Sequence, residues 1–190
     1  MNTEKDKVTV KILRPLYQNL SQIIKGESLF LLPENRKMTI KSIKKCIKKF
    51  LDDDVTTASF EESMGICLEG KPRVRRGQIL AADLSSKITD AIDANIFWMD
   101  PAGFQMGEPL LFRCVTQEVP CMIKKIHKRF DPASMEWMEE DASSIRGAEV
   151  AHALIHLEAS VVVDSFNDVP EMGRFVLEKN GRPVAGGIIL

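Results

Sequence analysis

Asn180-Gly181 lies between Phe175-Val-Leu177 and Val184-Ala-Gly-Gly-Ile188, two runs dominated by β-forming apolar residues. Asn-Gly tolerates the two positive φ angles of a type I′ turn, whose twist matches that of antiparallel flanking strands. With Val, Ile and Phe on both sides, the segment is committed to a hairpin in a pleated sheet. Ahead of it, Ser160-Val-Val-Val-Asp164 is a further apolar β-run that ends in a polar turn. The sequence closes on Gly186-Gly187-Ile-Ile-Leu190, so its last strand is expected to end in a core.

The same grammar recurs upstream. Residues 7–13 alternate polar and apolar, and Lys25-Gly-Glu-Ser-Leu-Phe-Leu-Leu-Pro33 reads as a turn feeding an apolar strand closed by proline. Met64-Gly-Ile-Cys-Leu68 and Gln78-Ile-Leu80 read as short strands. Met38 to Phe50 is the exception. Ile40, Ile43, Ile47 and Phe50 fall on a helical stripe, so pattern alone predicts a helix there. In the second half Ile92, Ala94, Ile96 and Trp98 share one face of a long strand, with Asp93 and Asn95 opposite. A turn follows at Asp100-Pro-Ala-Gly103, then strands at Leu110 to Val115, Val119 to Arg129 and Val150 to Leu157. Many strands at short spacing argue for an all-β protein built as barrels or sandwiches. Ala81 to Lys87 is small and polar and separates the two β-rich halves. The expected division is 1–82, a linker at 83–88, and 89–190.

Bulk properties exclude several classes. A net charge of −1 over 190 residues gives no general surplus of positive charge for a polyanion. No apolar run approaches the ~20 residues that span a bilayer. The N-terminus, Met-Asn-Thr-Glu-Lys-Asp-Lys7, lacks the apolar core of a signal peptide, so a cytoplasmic location is expected. Cys46, Cys67, Cys114 and Cys121 show no Cys-x-x-Cys spacing and read as buried free thiols of a reducing compartment.

The chemical motifs are thin. Gly65-Ile-Cys-Leu-Glu-Gly-Lys-Pro72 copies the phosphate-loop pattern until its last position. There Pro72 supplies neither the hydroxyl that would hold magnesium nor an N–H for phosphate. His152 and His156 would lie on one face of a strand but about 13 Å apart, too far to share an ion. His127 sits in a basic run with no acidic or cysteine partner in the sequence around it. The acidic triplets Asp52-Asp-Asp54 and Glu139-Glu-Asp141 read as solvated loop tips. No catalytic or metal-ligating constellation is expected. The basic segments are more informative. Arg36, Lys37, Lys41, Lys44, Lys45, Lys48 and Lys49 crowd one stretch, and Arg73, Arg75 and Arg76 another. They are either solvated faces or, on a shared face, a patch for an acidic partner or a phosphate backbone.

Four groups of segments together carry a resemblance. They are Gly26-Glu-Ser-Leu-Phe-Leu-Leu-Pro33 with Ile40-Lys-Ser-Ile43, and Glu62-Ser-Met-Gly-Ile-Cys-Leu68 with Arg76-Gly-Gln-Ile-Leu80. Then come Ala94-Asn-Ile-Phe-Trp-Met99 with Thr116-Gln-Glu-Val-Pro-Cys121, and Val161-Val-Val-Asp-Ser-Phe166 with Gly173-Arg-Phe-Val-Leu177 and Val184-Ala-Gly-Gly-Ile188. In this order they resemble the two β-barrel domains that follow the GTPase domain in elongation-factor-Tu-like proteins. Phe97-Trp98-Met99, Thr116 to Cys121 and Val163-Asp-Ser-Phe166 point within that superfamily to the GTPase (large) subunit of bacterial sulfate adenylyltransferase.

The resemblance implies two tandem antiparallel β-barrels of the translation-factor type, and it turns Lys37 to Ile43 into a strand. It implies a non-catalytic module with no cofactor, since GTP would need the GTPase domain that this sequence lacks. Partners would be proteins, such as a sulfate adenylyltransferase catalytic subunit, or a second copy through the short first barrel. The other reading is an RNA-binding barrel pair, as in translation factors, using the patch of Lys41, Lys44, Lys45, Lys48, Lys49, Arg73, Arg75 and Arg76. The first barrel is short at its N-terminal end, where Leu16 to Ile24 is expected to fill the gap unless a second chain does. The second barrel is expected to be complete at Leu190.

Overall fold

The computed structural model describes residues 7–11, 22–47, 50–55, 57–59, 63–70 and 72–190. Contacts divide the chain into two compact units, residues 1–85 and 86–190.

The first unit contains β1 (Lys7–Lys11), β2 (Gln22–Ile24), β3 (Ser28–Leu32), β4 (Arg36–Ile47), β5 (Phe50–Val55), β6 (Thr57–Ser59), β7 (Ser63–Leu68) and β8 (Ile79–Ala81). A six-stranded antiparallel sheet runs in the order β1-β7-β4-β3-β8, with β5 added to β4, while β2 and β6 pair separately. Among the described residues this sheet forms a half-barrel. Leu16 to Ser21 lie outside the described residues, so the expected gap-filler is represented only by Gln22–Ile24.

The helix predicted over Met38 to Phe50 is not there. β4 is one continuous strand over Arg36–Ile47, as the resemblance implied. The misleading signal has a physical origin. The register of β4 against β7 shifts between Ile40 and Ser42, so the strand gains an extra residue there. Such a bulge changes which residues face the core. Ile40 and Ile43, three apart as on a helix, are consequently both buried with Leu29, Ile66 and Leu68 in a small core.

The second unit is a closed barrel. Its strands are β9 (Lys87–Trp98), β10 (Phe104–Gln105), β11 (Leu110–Cys114), β12 (Gln117–Asp131), β13 (Glu136–Ala142), β14 (Ser144–Ile145), β15 (Val150–Val163), β16 (Arg174–Lys179) and β17 (Arg182–Ile189), with the helical turn α1 (Pro170–Gly173) before β16. The sheet order is β11-β16-β17-β9-β15-β12-β13, and β11 also pairs with β12, which closes a six-stranded ring and leaves β13 outside it. The all-β class and the antiparallel barrel type are therefore as the sequence indicated. The hairpin that most constrained the fold joins β16 to β17, with Asn180 at φ 52° and Gly181 at φ 74°.

Alternation explains the core. Ile92, Ala94, Ile96 and Trp98 of β9 all point inward, joined by Phe104, Phe112, Ile123, Ile126, Ile155 and Leu177. Trp98 stacks obliquely on Phe104 at 5.0 Å between ring centroids, and Phe112 on Phe175 at the same distance. Gly187 lets the Phe175 ring lie directly against the β17 backbone, where a Cβ would collide with that ring. Two polar ties cross this interior. Gln117 Nε2 donates to the carbonyl of Val162, and the Val162 N–H donates back to Gln117 Oε1, both at 2.8 Å. That exchange lies beyond the end of the β12–β15 ladder at Cys121 and Leu157, and it satisfies both backbone groups of Val162. Arg129 on β12 pairs with Glu149, Nη1 to Oε2 at 3.1 Å, with both side chains only 6% exposed. Glu149 Oε2 also accepts the Arg146 N–H at 2.8 Å.

Cys67, Cys114 and Cys121 are free, with Cys114 and Cys121 buried and Cys67 half-buried. Burial, with a smaller effect from Asp164, pushes the Cys114 thiol up to about 11. Burial, then Glu158, pushes Cys121 up to about 12. Both are protonated and shielded at pH 8, and the thiolate is the reacting form. Mass mapping after brief iodoacetamide treatment at pH 8 should show neither modified in the native chain and both modified in urea. Native labelling of either would contradict this packing.

Candidate functional site

The basic segments meet only in part. The β3–β4 turn, Glu34 and Asn35, leads into Arg36, and the loop before β8 carries Arg73 and Arg75. Together with Gln78 these residues line a cleft of about 530 Å³ in the first unit. Local chemistry holds it in shape. Asn35 takes the left-handed conformation at φ 53°, which asparagine tolerates better than most residues. Gln78 fastens the two sides. Its Oε1 accepts the Arg75 N–H at 2.6 Å, and its Nε2 donates to Glu34 Oε1 at 2.6 Å. Three arginines and one carboxylate, Glu34, thus line the cleft, and that carboxylate already accepts from Gln78. Guanidinium forks suit planar, bidentate recognition of phosphate oxygens, a chemistry that this lining offers.

The other predicted members lie elsewhere or are undescribed. Arg76 is exposed in the same loop but does not line the cleft. Lys41 is exposed on β4, outside the cleft lining. Lys44 is half-buried and stands opposite Asp54, and Lys45 stands opposite Asp52. Lys48 and Lys49 fall outside the described residues. The lysine run is therefore set against an acidic strand, because β5 folds back on β4 and places Asp52 to Asp54 along it. The reading of the acidic triplets as loop tips is corrected by the same pairing. Asp52 to Asp54 belong to β5, and Glu139 to Asp141 to β13, where Glu140 stands opposite Lys128. The phosphate-loop lookalike is likewise structural in its described part, since Gly65, Ile66 and Leu68 are buried in β7.

In the second unit sequence reasoning missed an arrangement. His152 and His156 do share a face of β15, with His156 exposed. The true neighbours of His152 come from other strands. The ring of His127, on β12, lies 4.7 Å from that of His152, and both imidazoles approach the Asp93 carboxylate from β9. The expectation that His127 has no acidic partner is thereby overturned. Burial and the facing His127 hold His152 below the ordinary histidine value, against the opposing pull of Asp93. No short-range sequence signal could have revealed a cluster assembled from three strands.

Residues 91–190 match the protein family described as GTP-eEF1A C-terminal domain-like. Elongation factor 1-alpha of Methanosphaerula palustris is 25% identical over 170 residues, covering 87% of this chain and 39% of that protein. The elongation factor 1-alpha of Natronomonas pharaonis is 30% identical over 123 residues, 64% of this chain and 29% of that protein. A solved structure of sup35 complexed with GMPPNP superposes with a TM-score of 0.83 at 17% identity, covering 97% of this chain and 43% of that one. This last likeness is one of fold. The chain spans well under half the length of the curated relatives it matches. None of these matches leads toward sulfate activation. In the segments that pointed there, Trp98 fills the barrel core and Gln117 ties down Val162.

Proposed function

The chain belongs to the family of GTP-eEF1A C-terminal domain-like proteins, and on that premise we propose that it is a non-catalytic, RNA-binding barrel pair of the translation-factor type, working in the cytoplasm. The observation that carries the RNA reading is the cleft formed by Arg36, Arg73 and Arg75 and braced by Gln78. Guanidinium forks match phosphate oxygens along a backbone and need no particular base, so binding would be set by charge and shape. With a net charge of −1, the chain would attract polyanions through this local patch and not through its overall field.

The test is fluorescence anisotropy with a labelled transfer RNA at a series of salt concentrations. Binding should weaken linearly on a log–log plot, because each neutralised phosphate releases counterions. Replacing Arg73 and Arg75 together with alanine should cost on the order of tenfold in affinity at low salt and flatten the slope by about 1.5–2. An unchanged slope and affinity in the double variant, or no binding at 50 mM salt, would refute the proposal. Salt-tolerant co-purification with a sulfate adenylyltransferase catalytic subunit, without RNA affinity, would favour the protein-docking reading in its place.

A further inference from the structure

We propose that Asp93, His127 and His152 form a binding site for a zinc-type divalent metal ion on the outer face of the second barrel. The site is built by the sheet itself. β9, β15 and β12 are consecutive neighbours, and His152 stands opposite Asn95 of β9, two residues along from Asp93. On its other side the β12 register shifts between Ile126 and Lys128. Ile126 faces buried Ala153 and Lys128 faces His152, so His127 is the extra residue of a bulge, and two β12 residues oppose one on β15. Bulges re-aim side chains. Between inward Ile126 and inward Arg129, this one leaves both His127 and Lys128 on the outer face, where His127 meets His152.

The geometry suits a shared ion. His127 Nε2 lies 3.3 Å and His152 Nε2 3.7 Å from the same Asp93 oxygen, and one ligand atom from each residue falls within 4.8 Å of the other two. Ligands at ~2.0–2.2 Å from a tetrahedral ion lie about 3.3–3.6 Å apart, so small side-chain rotations close the set. Both imidazole nitrogens are shielded from solvent yet make no hydrogen bond among the described residues. Shielded polar atoms ordinarily make hydrogen bonds, and two imidazole nitrogens that face one carboxylate oxygen without doing so mark a place for a cation. Two imidazoles and a carboxylate favour zinc, cobalt or nickel over magnesium or calcium, and they leave a coordination position open on the exposed Asp93 side. Lys128, opposite His152 in the ladder, holds its ammonium over the Trp137 ring at 4.0 Å.

This inference is independent of RNA binding and is tested on the full chain by titrating Co²⁺ alone and then displacing it with Zn²⁺. Visible absorption in the 500–650 nm range would report four- or five-coordinate cobalt, and calorimetry the stoichiometry; the wavelength range is about that expected for low-coordinate cobalt with nitrogen and oxygen ligands. One-to-one binding is expected, weakened at least about tenfold by Asp93→Asn and by His127→Ala, and unchanged by His156→Ala on the same strand face. His152→Gln provides a second, milder ligand change, and far-UV circular dichroism verifies that each variant is folded. Equal affinity in wild type, Asp93→Asn and His127→Ala, or no one-to-one binding at millimolar Zn²⁺, would overturn the site.

Discussion

Replacing Glu149 with alanine should cost the second barrel about 3–5 kcal/mol, the range found when one partner of a buried ion pair is removed. The reason lies less in the attraction lost than in what remains. Arg129 carries a permanent charge inside the barrel wall, and its guanidinium would lose the carboxylate that it meets at 3.1 Å. The Arg146 N–H would lose its acceptor in the same step. Both tryptophans of the chain, Trp98 and Trp137, belong to the second unit, so indole fluorescence in urea follows that unit alone. The midpoint should fall sharply with little change in slope. A companion variant, Arg129→Met with Glu149→Leu, removes both charges and should recover part of the loss, although the Arg146 N–H still lacks its acceptor. A decrease below ~1 kcal/mol for Glu149→Ala would show that the pair is not buried as described.

An effect of similar size is expected for Trp98→Ala. The indole is fully buried where β9 meets the Phe104 ring, and a truncation of this kind opens a large cavity that costs about 3–5 kcal/mol. Trp98→Phe separates volume from polarity. It keeps an aromatic face against Phe104 and removes an indole N–H that has no acceptor among the described residues. Its cost should therefore be well under half that of alanine, because deleting an unsatisfied donor offsets part of the lost packing. Thermal melts followed by far-UV circular dichroism measure both variants without relying on the missing fluorophore. Equal destabilisation by alanine and phenylalanine would mean that the N–H is satisfied and that volume is not what matters at this position.

How far the fold could be read from the sequence depended on whether strands kept a regular period. From Ile92 onward β9 alternates without interruption, so Ile92, Ala94, Ile96 and Trp98 announced their inward face. The Asn180-Gly181 turn announced its hairpin because backbone geometry there is decided by two adjacent residues. β4 was misread by pattern because a register shift placed Ile40 and Ile43 on one face at a helical spacing. Bulges are products of pairing with another strand, and a single strand's sequence does not display them. The candidate sites obey the same limit. Arg73 and Arg75 were legible as a charged cluster, but their companionship with Arg36 depends on Gln78 reaching Glu34 across the unit. His127 gained its acidic neighbour through a bulge on β12 and a strand from much earlier in the chain.

The pairing of β17 with β9 sets a schedule for the ribosome. β9 finds one neighbour in β15, but its other edge must be zipped to Ala185–Ile189, the last strand of the barrel to be synthesised. At ~5–20 residues per second, the edge of β9 waits on the order of ten seconds before its partner is made. Throughout that interval an apolar strand with unpaired backbone groups stands open to other nascent chains. Synthesis that pauses ahead of Gly186 should therefore leave the second unit prone to aggregation, however stable the finished barrel is.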